Sequence, residues 1–114
     1  MYQHFDLNKI YEYFGKDKAI IQELIEKFKE EITEGIKGIE IFLQNEEYEG
    51  IADISHRIKS SLQYFGAEEL HDLIINVEKI AKSQNGIKQI PVLIEKFNKI
   101  YQELEKELIE YKNS

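Results

Sequence analysis

Ile54-Ser55-His56-Arg57-Ile58-Lys59-Ser60-Ser61-Leu62-Gln63-Tyr64-Phe65-Gly66-Ala67-Glu68-Glu69-Leu70-His71-Asp72-Leu73 is the stretch from which the rest of the chain can be phased. Wound at about 100° per residue, Ile51, Ile54, Ile58, Leu62 and Phe65 share one stripe, and His56 points nearly the opposite way. The spacing predicts a helix with one buried face and an imidazole turned to water. Around that ring it places Ala52 and Ser60 one turn to either side, Lys59 at i+3 and Gln63 two turns on, so small or polar side chains surround it on the exposed face.

Upstream, Phe5, Leu7, Ile10, Tyr11 and Phe14 make a short amphipathic segment that ends at Gly15, and Asp17 suits the N-cap of a second helix. That helix is predicted from about Lys18 to about Gln44, because Ile21, Leu24, Ile25, Phe28, Ile32, Ile39 and Phe42 recur at threes and fours. Gly35 lies on the same stripe, where a glycine costs about 1 kcal/mol relative to alanine, so a second helix is expected to cross closely there. Gly38 lies off the stripe and the pattern gives it no role. Asn45-Glu46-Glu47 breaks the periodicity, and the third helix runs from about Tyr48 to Tyr64 or Phe65, with Gly66 reversing the chain.

A fourth helix from Ala67 to about Lys82 turns Leu70, Leu73, Ile74, Val77 and Ile80 inward, with His71 and Glu78 on the flanks of the stripe. After Ser83-Gln84-Asn85-Gly86, Pro91 suits the first turn of a last helix, with Val92, Leu93, Phe97, Ile100, Leu104 and Leu108 inward. The expected architecture is all-α: an antiparallel up-down-up-down four-helix bundle with a short additional N-terminal helix, residues 1–114 forming a single domain.

The motif carries a resemblance. His56-Arg57-Ile58-Lys59-Ser60-Ser61, followed by Gly66-Ala67-Glu68-Glu69-Leu70, resembles the signature of the histidine-containing phosphotransfer (HPt) domains of multistep two-component phosphorelays. That signature reads roughly His-x-apolar-Lys-Gly/Ser-small and then Gly-Ala-x-x-Leu. Phe14-Gly15-Lys16-Asp17, ahead of a long helix, also looks like the family's N-terminal region. The resemblance therefore covers nearly the whole chain and implies a helical bundle. It implies that His56 accepts a phosphoryl group from a receiver domain's aspartyl phosphate, or from a histidine kinase, and passes it to the aspartate of another response regulator. Lys59 would stabilise the phosphoryl oxygens. Ala52, Ser60 and Gln63 would form the docking surface. Ser60 stands where the family most often has glycine, and Gln63 is larger than the usual small residue there. Glu78 matches a position from which some members orient the histidine through its second nitrogen.

Composition limits the rest. A net charge of −7 opposes nucleic acid, whose non-specific binding needs clustered Lys and Arg. No stretch approaches the roughly 18 apolar residues that span a membrane, and with no basic leader the chain reads as cytoplasmic. The absence of cysteine excludes disulfides and thiolate metal sites. Asp53-Ile-Ser-His56 and Glu68-Glu-Leu-His71 carry the acid-x-x-His spacing of di-iron carboxylate bundles, but such ligands project into the core, whereas Asp53, His56 and Glu68 point away from the stripes and the other helices supply no inward carboxylates, so no metal is expected, and no cofactor either. His4 and His71 read as structural or solvated. With no Gly-rich phosphate loop, the chain is expected to be a carrier without turnover of its own, not an enzyme. Its expected partners are receiver domains and a hybrid histidine kinase, and one bundle core takes up every stripe, so a monomer is expected. Free-standing and excised forms both fit. The alternative function is a non-catalytic helical adaptor or dimerisation domain.

Overall fold

Helix α1 runs Leu7–Phe14, capped by Asp6, whose carboxylate accepts from the Asn8 amide at 2.9 Å. The computed structural model describes residues 2–114. Helix α2, Lys18–Gln44, is capped by Asp17, which accepts from the Ala19 and Ile20 amides. Helix α3 spans Tyr48–Tyr64, α4 Glu68–Ser83, and a 3₁₀ turn at Ile87–Gln89 leads into α5, Ile90–Lys112. Among the described residues there are five α-helices, no strand, and no helix long and apolar enough to cross a membrane.

The helices close a ring: α3 packs on α2 and α4, α4 on α5, and α5 back on α2, while α1 lies across α2 and α3. Ile21, Ile25, Ile32 and Ile39 of α2 meet Ile51, Ile58 and Leu62 of α3, Leu70, Ile74 and Val77 of α4, and Phe97 and Leu104 of α5 in one core. The molecule is 42 × 21 × 19 Å, and its long axis is the length of α2, whose 27 residues at 1.5 Å rise give about 40 Å.

Both glycines of α2 are explained by α3. A Cβ on Gly35 would lie 2.9 Å from Ile58 Cγ2, the close crossing read from the sequence, and one on Gly38 would lie 2.7 Å from Ile54 Cδ1. Gly38 therefore has the role that the stripe did not give it. Because isoleucine is stiff at χ1 in a helix, the Cγ2 methyls of Ile58 and Ile54 beside Gly35 cannot swing aside, and they fix how α3 is rotated against α2; Ile54 Cδ1 beside Gly38 turns on χ2. Phe65 completes the seam, stacking on Phe28 with ring centroids 4.1 Å apart.

The inward face of α5 differs from the one expected. Ile90, Ile94, Phe97, Tyr101, Leu104, Leu108 and Tyr111 are buried, Leu93 and Ile100 are only half-buried, and Val92 is 67% exposed. Starting at Ile90, the helix places Val92 about 200° away from the core. On α4, Ile80 is likewise half-buried, and Glu78 and Ala81 lie inward instead.

The N-terminal segment is tied down by Glu107. Its carboxylate accepts from the amides of Gln3 and His4, and stands 2.7 Å from His4 Nδ1. Burial raises the Glu107 carboxyl, but the donors from His4 and Gln3 outweigh it and hold the pKa below the usual range. Further along, the Asp6 amide donates to the Phe65 carbonyl at 2.9 Å, which presses the segment against Gly66. Gly66 has φ +66°, and a Cβ there would stand 2.5 Å from Asp6 Cβ.

Gly15 has φ +83° with ψ −171°, a region essentially confined to glycine, but a Cβ there meets nothing within 4 Å. Gly15→Ala should therefore cost only the backbone strain, about 1–3 kcal/mol, and Gly66→Ala the strain plus a clash, about 2 kcal/mol or more. Chemical unfolding of both variants checks this; a Gly66→Ala protein that loses less than about 1 kcal/mol would show that the Asp6 contact yields freely.

Candidate functional site

His56 lies midway along α3 with its side chain 69% exposed. It is not alone. The ring reaches over the seam to α4, where Nδ1 stands 3.1 Å from Glu78 Oε2. Lys59, one turn on, donates from Nζ to Glu78 Oε1 at 2.8 Å, and Lys82 pairs with Oε2 at 3.2 Å from the next turn of α4.

Glu78 is at the centre of the cluster and its side chain is only 6% exposed. Burial alone would raise the carboxyl, but the hydrogen bonds from Lys59, Lys82 and His56 outweigh it and hold the pKa below the usual glutamate value of 4.5. Glu78 is thus ionised at neutral pH and can only accept. His56 Nδ1 must then carry the hydrogen, so in a neutral ring the lone pair is on Nε2. Nε2 has no hydrogen-bond partner among the described residues. The cluster presents an open nitrogen lone pair beside two ammonium groups, an arrangement suited to attack on an electrophile that carries negative charge.

The His56 ring lines none of the principal concavities, and the largest lies under the N-terminal segment, between Tyr2, His4 and Leu70.

The family model for Hpt domains matches residues 23–113, all of α3 and α4 and most of the bundle. The chain belongs to the Hpt family. Hpt domains are the histidine phosphotransfer carriers of phosphorelays, and they interact with response-regulator receivers and kinases. No curated protein and no solved structure matches the chain significantly.

The remaining residues singled out in this Hpt domain divide into two groups. Ser60 and Gln63 are exposed on the His56 side of α3. Ala52 is not: at 5% exposure it is buried, on the flank of α3 that it shares with Ser55 and Lys59. Its burial differs from the exposed position that the spacing gave it. Ser61, next in the motif, donates to Glu31 Oε1 on α2 at 2.9 Å.

His71 is half-buried, 3.8 Å from Asp72, and takes no part in the cluster. Asp53 and Glu68 are exposed. Among the described residues no three His, Asp or Glu side chains converge to hold a metal ion. Lys82 was not singled out by the sequence, although Glu78 and Lys82 are an acid and a base at i,i+4, the spacing of helical ion pairs.

The Glu78 shift sets a pH dependence. A carboxyl whose folded pKa is depressed adds stability above its unfolded value, and that stability is lost as pH falls from about 4.5 through the lower folded value. Glu78→Gln should flatten the acid limb of the melting-temperature profile below pH 5, while the part due to Glu107 remains. An unchanged acid limb would mean that the cluster does not hold Glu78 ionised.

Proposed function

We propose that His56 Nε2 is the atom through which this Hpt domain carries its phosphoryl group. The observation that supports this most is the hydrogen bond of Nδ1 to an ionised, buried carboxylate, which leaves the lone pair on the outward nitrogen. In the reading proposed, a receiver's aspartyl phosphate, or a phosphorylated histidine kinase, docks over α3. The Nε2 lone pair forms the N–P bond as the P–O bond to aspartate (or the P–N bond to histidine) breaks, and the leaving group keeps that electron pair.

No proton need move. The ring becomes a phosphorylated imidazolium with its hydrogen still on Nδ1, and Glu78 faces the positive charge that develops there. Lys59 stabilises the phosphoryl oxygens. Return transfer reverses the step onto the aspartate of another response regulator.

Ser60 and Gln63 form the docking surface around the ring. The carrier has no turnover of its own; its partners are receivers and a kinase of the hybrid type. Residues 1–114 act as one monomeric, cytoplasmic domain whose helices run up-down-up-down, the arrangement favoured by such short connections.

Phosphoramidate, a small phosphoryl donor, tests the chemistry without a partner protein. Wild type should gain an alkali-stable, acid-labile label that His56→Gln lacks, with stability changed by no more than about 1 kcal/mol. Ser60→Arg separates docking from chemistry. It should keep that label and stay within about 0.5 kcal/mol in stability, yet lose most transfer from a phosphorylated receiver. No label on wild type would favour the adaptor reading, and normal receiver transfer in Ser60→Arg would move the docking surface elsewhere.

A further inference from the structure

Glu78 has two oxygens and three donors, and their division is uneven. Lys59 alone holds Oε1, while His56 Nδ1 and Lys82 share Oε2. In the unloaded protein the Lys59 ammonium is thus committed to a carboxylate that is almost wholly buried. A phosphoryl group on Nε2 adds about two negative charges one helical turn from Lys59 and draws that ammonium toward it. If Lys59 leaves, Oε1 loses its only partner. A buried carboxylate that loses a charged partner is strongly disfavoured, and it would either take up a proton or let go of the ring. Either event frees the imidazole at the moment when its orientation matters.

Lys82 can prevent this. It rises from the same helix as Glu78 one turn on, so it stays with the carboxylate whatever α3 does. Its side chain is 63% exposed, against 28% for Lys59, so its head group is free to shift across both oxygens. Resting on the assignment of His56 as acceptor, we propose that Lys82 is a positioning residue for phosphoryl transfer. It remains as counter-ion to Glu78 while Lys59 moves to the phosphoryl group, so Glu78 stays ionised and keeps hold of Nδ1–H. Lys82 itself does not touch the reacting atoms.

The test is a cycle on the whole chain with phosphoramidate as donor, reading the rate of acid-labile labelling and the lifetime of the label after the donor is removed. Lys82→Gln should lower the rate or shorten the lifetime by about fivefold or more, and Lys82→Arg should come back to within about twofold of wild type. In a Glu78→Gln background, where no carboxylate needs a counter-ion, adding Lys82→Gln should change neither quantity by more than about twofold. Thermal unfolding of each variant reads its fold separately. The proposal is overturned by a Lys82→Gln protein that labels and holds like wild type, by failure of arginine to restore it, or by an equal loss in the Glu78→Gln background. An unlabelled wild type is a different failure, since it overturns the acceptor assignment itself.

Discussion

The carboxylate of Glu78, held between α3 and α4 by Lys59, Lys82 and His56, is the constraint on which the site depends. A lone ionised carboxylate is expensive to bury, and three donors are what let it stay charged there. Because it is charged, it fixes the hydrogen on His56 Nδ1. Because it is buried on the neighbouring helix, it fixes where the exposed ring points. One interaction thus sets both the tautomer and the aim of the surface residue, and the electrostatics of the cluster follow from it.

That interaction requires α3 and α4 to be held in one rotation. Gly35 and Gly38 let α2 approach until Ile54 and Ile58 lock the phase of α3. Glu78, buried on α4, ties that helix to α3 through His56 and Lys59 on the other side. A rotation of α3 by a single residue, about 100°, would carry His56 off the flank that Glu78 reaches. The core is therefore the device that aims the histidine, although no core atom touches it.

Much of this was legible in the sequence, for identifiable reasons. The stripes of α2 and α3 are wide and interrupted by polar residues, so periodicity located the helices and the outward face at His56; Asp17 and Gly15 marked their ends. Around Ile90-Pro91-Val92-Leu93-Ile94 the apolar residues occupy every side of the first turn, so the pattern carries no phase, and Val92 was assigned inward where Ile90 and Ile94 are. Ala52 shows the opposite failure: a small residue at the edge of a stripe reads as a gap on the surface until a neighbouring helix fills it. Glu78 belongs to the buried set with Ile74, Val77 and Ala81, but its charge placed it on the flank, and only the positions of Lys59 and Lys82 show why a carboxylate can lie inward.

Nitrogen-resolved NMR of the His56 ring before and after loading with phosphoramidate bears most directly on these claims. The neutral form of the free ring should carry its hydrogen on Nδ1, and the loaded ring should show phosphorus coupled to Nε2. A neutral free ring with its hydrogen on Nε2 and none on Nδ1, or phosphorus bonded to Nδ1, would contradict this, because either would mean that Glu78 does not hold the inner nitrogen.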